Sequence, residues 1–337
     1  MSVKPLLTLR LCGPRGFCAG VERAIQIVVA ALKKYGAPVY VRHEIVHNRY
    51  VVEALQTLGA VFIRELDEIP PDHRDRPVIF SAHGVPRSVP EDAKNKNLFY
   101  LDATCPLVTK IHKQAIRHHR NGCHVILVGH AGHPEVIGTM GQLHAGDVTL
   151  IETVEDAEHY QPEDPAKLGF VTQTTLSTAD TSTIIQVLRR RFPLIKAPAA
   201  ESICYATTNR QDAVRHAAPG SDLFVIVGAP NSSNSRRLVE VAKRAGAAMS
   251  LLVQNVHEID WDALGPLRVV SLSAGASAPE ILVGEIVEAF RQRYELTIEL
   301  AETAQEHEVF LVNRDLRDVV LTGQDMAFVN GPAEQEF

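Results

Sequence analysis

The sequence predicts an α/β protein built as three small α/β domains about a pseudo-threefold axis, with three cysteines brought together at the centre. Two observations carry this. Apolar strand-like runs (VYVRHEIV, RPVIFSA, HVILVG, LGFVTQ, DLFVIVG, RVVSLSAG) alternate with helix-like stretches, several of which end in Gly, the pattern of parallel sheets wrapped by helices. Cys18, Cys105 and Cys204 recur at nearly equal intervals, each just before a helical stretch: GFCAGVERAI, DATCPLVTK and ESICYATTNRQ.

That interval is too long for a solenoid repeat and suits one small domain each. The units expected are 20–103, 104–203 and 204–290, with 1–19 and 291–320 packing onto the third. TAQEHE is expected to be a loop. The polar, Gly/Pro-containing end, 321–337, is expected to be a flexible tail. A chain of 337 residues exceeds one ordinary core. With 45% hydrophobic and 22% charged residues its composition is that of a globular protein.

Bulk charge and patterning exclude some classes of function. The formal charge is −6 and no basic stripe is present, so no nucleic-acid partner is expected. No apolar run reaches the length of a spanning helix, and the N-terminus lacks the pattern of a signal peptide. A cytoplasmic protein with no membrane partner is the expectation. Five cysteines, an odd number in a reducing compartment, argue against a disulfide framework.

The ends of the strands carry the chemistry. Each strand-like run finishes in a polar or glycine-rich tip: His47-Asn48, His83-Gly84, HAGHPE with His133 and Glu135, Thr174-Thr175, APNSSNS with Ser232, Ser233 and Asn234, and ASAPE with Ser277. Ligands of α/β sheets bind outside the carboxyl ends of strands, where helix N-termini offer unpaired N–H groups to anions. Histidines, hydroxyls and an amide are the donors that a diphosphate needs. Taken singly, each has a plainer reading: a surface histidine, a helix cap in NSSNS, an acidic first-turn residue in Glu135. Glu135 is also a candidate proton source, since a carboxyl screened from water holds its proton nearer neutrality. Thr174 could relay or orient that proton.

Three thiolates suit a soft metal. There is no C-x-x-C pair and no ferredoxin-type spacing, so any site must be assembled by tertiary structure. An iron–sulfur cubane with one open iron and a three-cysteine zinc site both remain open on the residues alone. Cys12, in an apolar first strand, and Cys123, at the start of a buried one, are expected to be packing residues. Tyr205 is expected to pack, and His118 and His119 to lie on the surface.

GPRGFCAGVERAI, RHEIVHNRYVV, FSAHGV, LDATCPLVTKIH, GHPEVIGTMGQ, VTQTTLS, ICYATTNRQ, NSSNSRRLVEVA and AGASAPE, in this order, resemble the signature blocks of the 4-hydroxy-3-methylbut-2-enyl diphosphate reductases, the LytB family. The resemblance implies a trefoil of three α/β domains around a four-iron four-sulfur (4Fe-4S) cluster, with Cys18, Cys105 and Cys204 as its three protein ligands. It implies that His47, His83 and His133 bind substrate and that Ser232, Ser233, Asn234 and Ser277 clamp the diphosphate. It implies Glu135 as proton donor and Thr174 as the active-site member of the threonine pair. The reaction implied is reductive loss of an allylic hydroxyl, with two electrons and two protons, giving isopentenyl and dimethylallyl diphosphate. Ferredoxin or flavodoxin is the electron donor implied. Ile137 stands where many members carry a polar residue, and Pro230 where some carry Lys. No fused RNA-binding domain is expected after the match. The competing readings are a zinc hydrolase and a non-catalytic phosphometabolite or redox sensor.

Overall fold

The computed structural model describes residues 4–198 and 202–330. The chain opens with β1 (Leu6–Gly13). A first unit follows: α1 (Ala19–Tyr35), β2 (Val39–Arg42), α2 (Arg49–Thr57), β3 (Ala60–Ile63), β4 (Val78–Phe80), α3 (Ser88–Asn95) and β5 (Tyr100–Asp102). The second holds α4 (Pro106–Arg120), β6 (His124–Val128), α5 (Pro134–Met140), β7 (Val148–Ile151), α6 (Val154–His159), β8 (Leu168–Thr172) and α7 (Thr178–Arg191). The third holds α8 (Tyr205–Ala217), β9 (Leu223–Val227), α9 (Ser233–Arg244), β10 (Ser250–Val253), β11 (Val269–Ala274), α10 (Glu280–Arg293) and β12 (Glu295–Glu302), and the short helix α11 (Ala327–Asn330) comes last.

Among the described residues the strands form three sheets, ordered β3-β2-β4-β5, β7-β6-β8 and β10-β9-β11-β1-β12, with every strand pair parallel. Strands buried on both faces read as continuous apolar runs, which is why β2, β4, β6, β9 and β11 are visible in the sequence. The strands it does not announce, β3, β5, β7, β10 and β12, are all sheet edges with mixed burial. The three-unit trefoil expected from the sequence is the architecture found.

The ends of the chain depart from expectation in an instructive way. β1 and β12 are strands of the third sheet, paired along their full length from Leu6–Glu295 to Gly13–Glu302. Beyond Glu306, which still lies against α8, the chain leaves that unit and crosses to the first. Leu316, Met326 and Val329 are buried in the core that contains α1. Arg23 Nε donates to the Leu311 carbonyl at 2.7 Å, Lys34 Nζ bonds Asp318 at 2.8 Å, and Lys33 Nζ bonds Asp325 at 2.8 Å. The placement of 311–320 on the third unit is therefore corrected, and so is the reading of 321–330 as a flexible tail; 303–306 stays on the third unit, with the Thr303 N–H on the Gly13 carbonyl at 2.8 Å and Glu306 beside α8. The physical reason is that α1 presents more apolar surface than its own sheet covers, and the returning chain buries the remainder. Residues 331–337 lie outside the described ones. His118 is also corrected: it is buried, with its ring over Gly169 and Nε2 bonded to Gln114 at 3.1 Å, because α4 packs directly on β8. His119 stays partly exposed, 3.7 Å from Asp147.

Candidate active site

The carboxyl ends of the parallel strands, together with three helix N-termini, surround one pocket of about 110 Å³. Its lining includes every residue proposed from the sequence as a cluster ligand, substrate contact or proton donor: Cys18, Cys105, Cys204, His47, His83, His133, Glu135, Thr174, Ser232, Ser233, Asn234 and Ser277.

The cysteines arrive by one device used three times. Cys18, Cys105 and Cys204 are the N-cap residues of α1, α4 and α8, and none uses its side chain for capping. The thiols line the central pocket instead, near the positive ends of three helix dipoles, with Cys204 Sγ 3.2 Å from the Thr207 hydroxyl. Gly20 shows how closely they crowd: a Cβ there would lie 2.6 Å from Cys105 Sγ and 3.8 Å from Cys18 Sγ. Burial, reinforced by Cys18, pushes the Cys105 thiol up to about 12 and Cys204 up to about 11. Thiols so desolvated are poor anions unless a soft cation neutralises them. Among the described residues no three His, Cys, Asp or Glu side chains converge on a single ion position. The donor set, three thiols spread around a cavity rather than around a point, fits a group larger than one zinc ion. Cys12 and Cys123 are buried away from the pocket, and burial pushes Cys12 up to about 12.

The Cys18 loop is fastened by a group the sequence did not announce. Arg210, with no exposed surface, donates to the carbonyls of Gly16 (3.0 Å), Phe17 (3.1 Å) and Ala206 (3.0 Å) and pairs with Glu306 at 2.8 Å. TAQEHE is the expected loop, and Glu306 is its contribution. Tyr205 does more than pack: its hydroxyl accepts from the Ala19 N–H at 3.3 Å, tying α8 to the start of α1.

The three histidines form a triangle. Ring centroids lie 4.1 Å apart for His47–His83, 5.7 Å for His47–His133 and 5.9 Å for His83–His133. Burial, with two imidazole neighbours, holds His83 well below its ordinary value and His133 at about 4. His133 caps α5, its Nδ1 accepting from the Glu135 N–H at 3.1 Å, which leaves the ring proton on Nε2. His47 Nδ1 donates to Glu44 Oε2 at 2.9 Å, and its Nε2 is buried with no hydrogen-bond partner. Gly84 follows His83 with φ +81°, where a side chain would be strained and would meet His112 at 2.7 Å.

Glu135 is 3% exposed. Its Oε1 accepts from the Thr174 N–H at 2.7 Å and its Oε2 from the Thr174 hydroxyl at 2.8 Å. Burial outweighs those two bonds and raises the carboxyl from 4.5 to about 7. Thr175 also lines the pocket, its hydroxyl accepting from Gln173 Nε2 at 2.9 Å.

On the third unit, Ser232 caps α9. Its oxygen accepts from the Ser235 N–H at 3.3 Å and the Ser235 hydroxyl at 3.1 Å, so its own proton remains available. Asn234 Oδ1 accepts from the Ala276 N–H at 2.9 Å, which turns its amide N–H groups toward Thr207 and the pocket. The Ser277 hydroxyl donates to the His47 carbonyl at 2.9 Å, bridging the third unit to the first. Ile137 and Pro230, the two departures in the sequence, are exposed and do not line the pocket.

Comparison with known proteins identifies the chain's relatives. The family model described as LytB protein matches residues 9–291. The chain is 75% identical to the 4-hydroxy-3-methylbut-2-enyl diphosphate reductase of Bartonella quintana over 334 residues, covering 99% of this chain and 98% of that one. It is 70% identical to the enzyme of the same name from Rhizobium etli, covering 98% and 99%. The fold is similar to the solved structure of the E-1-hydroxy-2-methyl-but-2-enyl-4-diphosphate reductase from Plasmodium falciparum, with TM-score 0.86 and 35% identity over 94% of this chain and 97% of that one.

Proposed function

Because this chain belongs to the LytB family, and its reaction is the reduction of 4-hydroxy-3-methylbut-2-enyl diphosphate in isoprenoid biosynthesis, we propose that the pocket at the centre of the three units is where that reaction runs. The observation that carries the assignment is the meeting, in one cavity, of three cysteine-capped helix ends, three histidine rings and the buried Glu135–Thr174 pair.

Cys18, Cys105 and Cys204 would hold a four-iron four-sulfur cluster. When bound, the cluster supplies electrons and, at an iron without a cysteine, a Lewis acid for the hydroxyl oxygen. The rest falls to the protein. The diphosphate is held by donors: His133 Nε2–H, the hydroxyls of Ser232 and Ser233, the Asn234 amide and the N-terminus of α9, joined by the Ser277 hydroxyl when it swings from the His47 carbonyl to the anion. His47 and His83 complete that wall. Gripping the charged end orients the far end, so binding energy is spent on placing the allylic hydroxyl.

Loss of the hydroxyl breaks one C–O bond. Two electrons and two protons are taken up; one proton leaves with the oxygen as water and the other ends on carbon, giving isopentenyl or dimethylallyl diphosphate. Glu135 supplies the proton to the departing oxygen. Its value of about 7 keeps a sizeable protonated fraction at neutrality. When Glu135 carries that proton, the bond at 2.8 Å reverses, the carboxyl donates to Thr174 Oγ1, and the threonine hydroxyl turns to the substrate. Ferredoxin or flavodoxin is the donor that fits a one-electron route to the cluster. No helix among the described residues is long and apolar enough to cross a membrane, in keeping with a cytoplasmic enzyme.

The test is turnover of anaerobically purified protein with a reduced one-electron dye and the hydroxylated diphosphate. Formation of both five-carbon diphosphates is expected. Protein that carries iron and sulfide and binds the diphosphate without consuming it would overturn the assignment in favour of a sensor.

A further inference from the structure

Glu44 lies outside the pocket lining, and its side chain is 42% exposed. Yet its Oε2 accepts from two donors on different units, His47 Nδ1 at 2.9 Å and Asn231 Nδ2 at 2.9 Å. His47 follows β2, while Asn231 follows β9 and immediately precedes the Ser232–Asn234 run. Both bonds converge on one oxygen, with Asn231 Nδ2 3.4 Å from His47 Nδ1, so the contact joins the first unit to the third beside the candidate anion site.

The other nitrogen of His47 shows what the contact achieves. Nε2 is buried without a hydrogen-bond partner in a cavity otherwise rich in donors. A buried polar atom left unpaired is costly unless something arrives to pair with it. The rest of the residue is pinned, with Nδ1 on Glu44 and its carbonyl on the Ser277 hydroxyl. His133 is locked neutral by its helix-capping bond, and His83 has a single long contact, 3.4 Å from Ser81 Oγ. His47 is the ring with a carboxylate at its back.

We propose that Glu44 is a positioning residue for the diphosphate: it aims His47 Nε2 at the ligand, sets a carboxylate behind the ring, and ties His47 through Asn231 to the serine-rich tip after β9. The inference rests on the reading of this pocket as a diphosphate site. Glu44 never touches the substrate. Its effect is to fix two donor groups on separate units before the anion arrives, so that less ordering is left for binding to accomplish.

The experiment is isothermal titration of anaerobic holoenzyme with inorganic diphosphate, alongside dye-driven kinetics, for Glu44→Gln, Asn231→Ala and the double variant. Gln keeps the shape and can still accept from Asn231, but it removes the charge behind His47. The Kd for diphosphate is expected to rise about tenfold to a hundredfold for Glu44→Gln, the range for one lost charge-assisted bond. KM should rise by a similar factor, kcat should fall by less, and the visible spectrum should hold. The double variant should bind no worse than the more damaged single one, because both act through one oxygen. If Glu44→Gln stays within about twofold of the unsubstituted protein while His47→Ala binds weakly, the inference is wrong and the diphosphate site stands. If neither His47→Ala nor Ser232→Ala affects diphosphate, the site reading fails and takes the inference with it.

Discussion

Replacing Glu135 by Gln separates proton delivery from binding and from stability. Both hydrogen bonds of the native carboxyl have amide equivalents: the Gln oxygen can accept from the Thr174 N–H, now 2.7 Å from Oε1, and the Gln amide can donate to the Thr174 hydroxyl, now 2.8 Å from Oε2. The variant therefore folds, and its stability has a predictable pH signature. With a folded value of about 7 against an ordinary 4.5, the native state binds more protons than the unfolded chain between those limits. The native protein thus loses stability as pH climbs from 4.5 through about 7, by an amount on the order of 3 kcal/mol. The amide does not ionise, so Glu135→Gln should match the native protein at pH 5 and exceed it at pH 8 in chemical unfolding. Catalysis should move the other way. Reductive loss of the hydroxyl should fall about 10²–10⁴-fold, the usual weight of a positioned general acid. In the native enzyme the same step should slow as pH rises past about 7. Single-turnover kinetics with pre-reduced protein reads this step without an electron donor. Native-like hydroxyl loss in the variant would remove Glu135 from the mechanism, and native-like stability at pH 8 would refute the desolvated carboxyl.

Other parts of the account are open to test in the same way. Ser232→Ala with Asn234→Ala should weaken product binding by about 1.5–3 kcal/mol per lost bond to the charged group and leave the visible spectrum unchanged; equal affinity of the native protein for the diphosphate and its alcohol would sink the clamp. Gly20→Ala places a Cβ 2.6 Å from Cys105 Sγ, so iron content measured after anaerobic reconstitution should drop, and full iron loading would contradict the crowding argued from that contact. Arg210→Met strips three carbonyls and Glu306 of their partner; chemical unfolding should show a loss of about 3–5 kcal/mol, as for other broken buried pairs, and a change below about 1 kcal/mol would mean the pair is solvated.

Much of this molecule can be read from its sequence, for a reason visible in the structure. The central strands are buried on both faces and announce themselves as apolar runs, and parallel strands put their polar tips at one end. Once Cys18, Cys105 and Cys204 are seen to precede helices, the meeting of tips and thiols follows from topology. Edge strands such as β7 and β12 are hidden because half-exposed strands lack that run. Glu44, Asn231 and Arg210 are hidden for another reason. Glu44 and Asn231 are 187 residues apart, and Arg210 reaches carbonyls 193 and 194 residues away, so nothing local marks them. The one local hint is an Arg in the interior of a helix whose buried face is otherwise mostly small, among them Ala206, Ala213 and Ala217. The crossing of the chain beyond Glu306 to α1 was equally silent, since its buried contacts are few and widely spaced: Leu316, Met326 and Val329.

The central claim is that three cysteines from three units hold one iron–sulfur group in the pocket where the substrate is reduced. The most direct measurement is iron and acid-labile sulfide per chain, together with dye-driven turnover, for Cys18→Ser, Cys105→Ser and Cys204→Ser beside Cys12→Ala and Cys123→Ala, all prepared without oxygen. A hydroxyl is a hard, poor substitute for a thiolate at iron. Each of the first three variants should lose metal and activity together, while the two buried packing cysteines should cost stability alone. Full iron and turnover in any of the first three, or loss of iron on removing Cys12, would contradict the assignment.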